Sequence, residues 1–206
     1  MWYGNRQFPI HPIESERNIK MSPFLLVDEI IAAQTPKLEA PFIEILNGVR
    51  QIIEIGYHRG GFSLWLHQHK RSDCMLVCYD ITGDFLLVPP EHNIDFRIGD
   101  CFSYNTAIEI IDLIRRPQKT LLLCDGGNKE KEFNFYCEFM KPDDIIMLHD
   151  YADNSEDYQR IKARLNWPSP AESFYMNIRQ RAKECGLSKY NYDAMKEVLW
   201  GAFVAS

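Results

Sequence analysis

Five short apolar runs, most of them ending at an acid, constrain the fold of this chain more than any other feature. They are Gln51–Ile55, Met75–Tyr79, Ile94–Ile98, Thr120–Cys124 and Ile145–Leu148. Each holds four or five residues, rich in β-branched and aliphatic side chains, and is nearly continuous in hydrophobicity. Alternation would mark a half-exposed strand; continuity marks a strand covered on both faces of a parallel sheet. Four runs lead into an acid: Asp80 directly, Asp100 after Gly99, Asp125 directly and Asp150 after His149. Asp80 and Asp100 are 20 residues apart, and Asp125 and Asp150 follow at intervals of 25. A strand, its turn, a helix and the return take about that length. The acids therefore fall at equivalent places in successive βα units. Those places are the carboxyl ends of the strands, where ligands bind in a doubly wound sheet. The expected class is α/β: Rossmann-like, doubly wound and mostly parallel, with helices on both faces.

Between the runs, Gly61–Lys70 and Tyr104–Arg115 carry helical apolar spacing, and Lys129–Phe139 is a third helix, closed by the turn Lys141-Pro142-Asp143-Asp144. The crossover after Asp80 meets Pro89-Pro90 and should be abbreviated. Beyond Asp150 the pattern changes to polar helical stretches, Ser155–Leu165 and Glu172–Cys185, broken by Trp167-Pro168-Ser169-Pro170. Val198–Val204 suits a last strand. Residues 1–37 read as an N-terminal extension ahead of a helix at Leu38–Leu46, with residues 38–206 forming the domain.

A chain of 206 residues is expected to build one domain with a sizeable core, and 46% hydrophobic with 25% charged residues is an ordinary globular balance. A net charge of −6 gives no basic footprint for nucleic acid, although Arg59, Lys70 and Arg71 could make a local patch. The first residues lack an apolar segment of the signal type, and no run approaches a membrane span, so the chain reads as cytoplasmic without a membrane partner. The six cysteines are scattered without a CxxC pair and read as buried, reduced thiols.

The chemistry begins at Ile52-Ile53-Glu54-Ile55-Gly56-Tyr57-His58-Arg59-Gly60-Gly61-Phe62-Ser63. A strand runs into a glycine-bearing turn and a helix start, which lets backbone N–H groups approach a ligand closely. Asp80, 24 residues past Gly56, ends the next strand, where a carboxylate can hold two ribose hydroxyls. The dinucleotide fingerprint GxGxxG is not met, because His58 stands where the middle glycine would be and Glu54 precedes the first. A carboxylate repels a pyrophosphate but suits a cofactor carrying an amine and a sulfonium.

These residues resemble a class I S-adenosylmethionine-dependent methyltransferase. The Glu-Ile-Gly-xxx-Gly-Gly loop is similar to that of the small-molecule O-methyltransferases of the catechol type, the macrolide-sugar type and the cephalosporin hydroxylase group. The resemblance covers about residues 40–151 and a closing strand at 198–204, and implies a seven-stranded sheet. It implies that Gly56 and Gly60 lie against the methionine end of the cofactor, that Asp80 binds the ribose, and that Asp100 and Cys101 flank the adenine. Glu54, His58, Gly61 and Asp125 complete the implied cofactor site.

At the reaction end, Asp125-Gly126-Gly127 follows the fourth strand and His149-Asp150-Tyr151 the fifth. In the metal-dependent families just named, an aspartate after strand four and an acidic pair after strand five bind a divalent ion such as magnesium or manganese. The resemblance thus implies a metal set of Asp125, His149 and Asp150, in which a hard cation would lower the pKa of a substrate hydroxyl. His149 departs from the pattern, since magnesium prefers oxygen. It is either a ligand of another metal, the general base that takes the hydroxyl proton, or a core histidine capping the strand. Lys129 is a second candidate base near the position of a catalytic lysine in the catechol-type enzymes. The charges crowding its helix (Glu130, Lys131, Glu132) also allow a solvated helix start.

The reading that leads is methyl transfer to an oxygen of a small molecule, a sugar or phenol-like acceptor, with metal assistance open. A catalytically silent binding protein on the same fold and a nicotinamide-dependent oxidoreductase are the alternatives, the last disfavoured by Glu54. Acceptor selection is expected from the N-terminal extension and from the insert around Asn154–Tyr175. Trp167, Phe174 and Tyr175 there would wall a pocket or pack a homo-oligomer interface.

Overall fold

The computed structural model describes residues 23–206; residues 1–22 of the expected extension lie outside the described residues. The described chain begins with a short antiparallel hairpin, β1 (Leu26–Val27) and β2 (Ile30–Ile31), then helix α1 (Glu39–Gly48). Strand β3 (Gln51–Ile55), helix α2 (Gly61–His69), β4 (Met75–Asp80), β5 (Asp95–Ile98) and α3 (Tyr104–Ile114) follow. Next come β6 (Thr120–Cys124), α4 (Lys129–Tyr136), β7 (Ile145–His149) and β8 (Tyr151–Ala152). The last elements are α5 (Ser155–Leu165), β9 (Ser173–Phe174), α6 (Tyr175–Glu184), β10 (Leu187–Lys189), α7 (Tyr192–Lys196) and β11 (Trp200–Ala205).

Seven strands form one sheet in the order β10-β11-β7-β6-β3-β4-β5, with β11 antiparallel to both neighbours and β7, β6, β3, β4 and β5 parallel. The chain steps outward from β3 through β4 to β5, then returns to lay β6 against the other side of β3. That reversal opens a crevice between the ends of β3 and β6, the ligand position of a doubly wound sheet. The two strand ends are tightly joined. Asp125 N–H donates to Ile55 O at 2.9 Å, and a Cβ on Gly56 would lie 2.3 Å from Asp125 O. Gly56 also has a φ of +94°, so no other residue fits at this point.

Every residue of β3, β6 and β7 is buried, as continuous hydrophobicity requires. Side chains of β3 alternate between two cores. Ile52 joins the layer of α1, α2 and α7 (Phe42, Trp65, Met195), whereas Ile53 and Ile55 join that of α3, α4 and α6 (Ile110, Phe133, Ile178). A third, smaller cluster of Tyr158, Ile161, Leu165 and Trp167 holds α5 over the carboxyl end of the sheet.

Several elements differ from expectation. Helix α1 is preceded by a 3-10 turn over Pro36–Leu38, where Thr35 Oγ1 accepts from Lys37 N–H. The crossover after β4 is abbreviated as expected, containing only a 3-10 turn at Pro90–His92. Helix α6 starts at Tyr175 rather than Glu172, because Ser173 and Phe174 pair with Tyr151 and Ala152 in a small parallel sheet. Strand β10 and helix α7 carry too few apolar residues to announce themselves. All six cysteines are free; five are buried and Cys185 is half-buried, its Sγ 3.0 Å from that of Cys137. Among the described residues no helix is long and apolar enough to cross a membrane.

Candidate active site

Two cavities lie at the carboxyl ends of the strands and share Gly56 in their walls. The first, of about 220 Å³, is lined by Ile55, Tyr79, Asp80 and Ile81, by Gly99–Phe102, and by Gly126–Asn128 with Glu132. Its walls are mostly apolar, with carboxylates at the ends of β4 and β5. Asp80 Oδ2 accepts the His58 backbone N–H at 2.8 Å, which fixes the glycine turn to β4. Its other oxygen has no hydrogen-bond partner among the described residues. Asp100 Oδ1 accepts the Phe102 N–H at 2.8 Å, a local turn bond that sets the loop after β5. Glu132 caps the start of α4, accepting N–H bonds from Gly126 and Asn128, both at 3.2 Å. Burial pushes its carboxyl up to about 7 despite those bonds.

The second cavity, of about 250 Å³, has three sources. The glycine turn gives Tyr57–Arg59 and Gly61–Phe62; the strand ends and α4 give Asp125, His149, Asp150 and Lys129. Phe24, Ile31–Ala33, Trp167 and Ser169 close it from the N-terminal segment and the loop after α5. At its base a hydrogen-bonded chain sets each polar group. The indole N–H of Trp200 can only donate, and it donates to Gln34 Oε1 at 2.9 Å. The Gln34 amide nitrogen therefore faces Asp125 and donates to its Oδ2 at 2.9 Å. Asp125 Oδ1 takes His149 Nδ1 at 2.9 Å, and an acceptor-only carboxylate there places the imidazole proton on Nδ1. His149 is stacked on Trp200 with centroids 4.8 Å apart, and its Nε2 is buried without a partner. Desolvation pushes the imidazole pKa down, but the Asp125 and Asp150 charges and the Asp125 hydrogen bond outweigh it, leaving it above the ordinary 6.5.

Asp150 is held just as firmly. It sits at φ +50°, a left-handed conformation that aspartate tolerates better than most residues. Trp167 Nε1–H donates to its Oδ1 at 3.0 Å, and its backbone oxygen takes the N–H groups of Glu172 and Ser173. Lys129, at the first turn of α4, is 6% exposed. Its Nζ lies 3.8 Å from both Asp125 Oδ1 and Asp150 Oδ2, donates to Gly126 O at 3.2 Å and is paired with Glu172. Burial lowers its pKa, yet the surrounding carboxylates raise it further, so it remains an ammonium.

This architecture is similar to that of solved structures. They include cmcI-D160 Mg-SAM (17% identity over 98% of this chain and 87% of that one, TM-score 0.63) and cmcI-N160 SAH (16%, 98% and 94%, 0.61). An O-methyltransferase from Bacillus cereus in complex with SAH is also similar (18%, 82% and 79%, 0.50). No protein-family model and no curated protein matches the chain. The chain has the Rossmann-like methyltransferase fold.

Within this methyltransferase fold, most residues singled out in the sequence gather around the two cavities. Asp80, Asp100 and Cys101 line the first; His58, Gly61, Asp125, Lys129, His149 and Asp150 line the second; Gly56 lines both. Two do not. Gly60 turns away, packed under Val88 and Leu86, and its role is the left-handed turn at φ +78°. Glu54 points to the opposite face of β3, fully buried beneath α2, where Ser63 Oγ donates to its Oε2 at 2.5 Å. Burial pushes its carboxyl up to about 8, so it is largely protonated at neutral pH, and it lines neither cavity. The expectation that it faces a cofactor amine is corrected by strand alternation.

The solvated reading of Lys129 is likewise replaced by a buried ion pair. The metal expectation meets a geometric obstacle. Asp125, His149 and Asp150 converge, but Gln34 and His149 take both Asp125 oxygens, Trp167 takes one of Asp150, and the Nδ1 of His149 faces a carboxylate. Among the described residues no group of three His, Cys, Asp or Glu side chains is placed to hold an ion. With the Lys129 ammonium 3.8 Å from oxygens of both Asp125 and Asp150, the side chains present do not fit a divalent metal. Sequence reasoning missed Gln34 and Glu132. Trp167 does wall the second cavity, whereas Tyr175 stacks on Phe203 outside it.

Proposed function

We propose that the chain is an S-adenosylmethionine-dependent O-methyltransferase acting on a small hydroxylated molecule. The observation that carries this reading is the pairing of the two cavities at Gly56, one with strand-end carboxylates at Asp80 and Asp100, the other with an Asp125-oriented His149. The first suits an adenosine: the unpartnered oxygen of Asp80 would accept from ribose hydroxyls, and the Gly99–Phe102 loop would flank the base. The cofactor supplies an electrophilic methyl group on a sulfonium. The similar structures carry SAM or SAH in the same fold, which supports the choice of cofactor over a nicotinamide.

The second cavity supplies the residues for an acceptor hydroxyl. With the proton on Nδ1, the Nε2 lone pair of His149 is free to take the hydroxyl proton, and Asp125 stabilises the imidazolium that results. The oxygen then forms the bond to the methyl carbon as the carbon–sulfur bond breaks and its electron pair returns to sulfur. Phe24, Trp167 and the Ile31–Ala33 segment shield this region from water and select the acceptor's shape. Although cmcI-D160 is a Mg-SAM structure, the reading here calls for no metal, because the Lys129 ammonium already answers the Asp125 and Asp150 carboxylates.

The test is formation of SAH from SAM in the presence of a panel of phenols and sugars, followed by mass spectrometry. His149→Gln should lower turnover by about 100-fold or more, the usual contribution of a general base, while leaving SAH affinity within a few-fold. Unchanged turnover in that variant would remove His149 from the mechanism.

A further inference from the structure

We propose that Lys129 is the resident cation of this site, standing where a metal-assisted methyltransferase would need its divalent ion. The inference deepens the methyltransferase reading and rests on it. Its Nζ is enclosed by carboxylates from three separate pieces of chain: Asp125 at the end of β6, Asp150 after β7, and Glu172 before β9. These acids converge because the sheet topology brings the strand ends together, not because they are near in sequence. The Asp125 and Asp150 carboxylates left alone in this poorly solvated crevice would repel each other, while Glu172 reaches the ammonium from the exposed side. The ammonium answers that charge from within, delivered by the first turn of α4 on a flexible stem.

Geometry excludes shared occupancy. A dication among the same oxygens would stand within a few ångströms of a like charge in a poorly solvated place. Either the ammonium leaves or the metal stays out. The ammonium is tied down by Glu172 and by Gly126 O at 3.2 Å. Its third N–H has no hydrogen-bond partner, since Asp125 and Asp150 at 3.8 Å are too far for one. Lys129 itself lines the second cavity, as His149 does. It is placed to meet an oxygen that becomes anionic as His149 removes its proton, the service otherwise given by a metal ion. The acceptor class that follows is a hydroxyl whose oxygen gains charge before transfer.

The experiment uses Mn²⁺ as the probe, followed by the electron paramagnetic resonance signal of the free ion, with SAH binding measured in parallel. The wild-type chain should leave the Mn²⁺ signal unattenuated at equimolar metal, and EDTA should not alter its SAH affinity. Lys129→Met, which keeps the stem and removes the charge, should gain Mn²⁺ binding at least tenfold tighter than wild type. Stoichiometric Mn²⁺ uptake by the wild type, lost in Asp150→Asn, would overturn the proposal, and that titration needs no Lys129 variant to fold. So would a folded Lys129→Met chain that binds Mn²⁺ no better than wild type. Failure of SAH to bind would strike the methyltransferase reading instead, so the two failures are separable.

Discussion

Glu54→Gln isolates a carboxyl buried in the core. Glu54 has no exposure, one hydrogen bond from Ser63 and an Oε1 without a partner. Burial drives its pKa from 4.5 to about 8, the Ser63 hydrogen bond and the neighbouring Cys78 thiol pull part of the way back, and the Asp125 and Asp80 charges add to the rise. The folded chain thus holds this proton more tightly than the unfolded chain. Stability is full below about pH 4.5, where both states are protonated, and falls as pH rises until the folded group also ionises near pH 8. At 1.36 kcal/mol for each tenfold difference in proton affinity, the complete loss is about 5 kcal/mol. Glutamine has nearly the same shape, cannot ionise, and can still accept from Ser63. Urea unfolding at about pH 5.5 and pH 8.5 should show Glu54→Gln gaining about 3 kcal/mol on wild type between the two conditions. Because Glu54 lines neither cavity, SAH affinity should stay within twofold. A stability difference independent of pH would refute the buried neutral acid, and a tenfold loss of SAH affinity would return Glu54 to the cofactor site.

Three further outcomes follow from the geometry. His149 must be neutral to act as a base, and its folded pKa lies above 6.5, so methyl transfer should rise with pH through a midpoint above that value. The sign for stability is opposite: charged His149 favours the folded state below about pH 6.5, a contribution lost as pH climbs through the raised pKa, and His149→Gln should therefore cost most stability in acid. Gly56→Ala places a methyl 2.3 Å from Asp125 O at a φ of +94°, and should destabilise by about 2–5 kcal/mol in urea unfolding, from strain plus overpacking. Wild-type stability in that variant would mean that β3 and β6 do not meet as described.

Much of this was written in local patterns. β3 and β6 keep the bounds of their apolar runs, because a strand covered on both faces is buried from end to end. The convergence of Asp125, His149 and Asp150 was legible for the same reason: each stands at the end of a buried parallel strand. What escaped was side-chain direction. Glu54 looked like a cofactor ligand because it precedes Gly56, yet period two sends it to the α2 face while Ile53 and Ile55 face the other way. The charges around Lys129 suggested solvent, and only the close approach of α4 to the strand ends buries it. Gln34 bonds to Asp125 across 91 residues, and nothing in Ala32-Ala33-Gln34-Thr35 signals that reach. Residues 23–37, read as an extension, reach the second cavity through Phe24 and Ile31–Ala33 and its base through Gln34.

The central claim is that the Asp80 cavity binds the adenosyl half of a methyl donor, and calorimetric titration with SAH tests it most directly. The account predicts one SAH per chain, weakened at least tenfold in Asp80→Asn, which can still accept the His58 N–H but loses the charge toward the ribose hydroxyls. No heat and no binding with the folded wild-type chain, or equal affinity in wild type and Asp80→Asn, would contradict it.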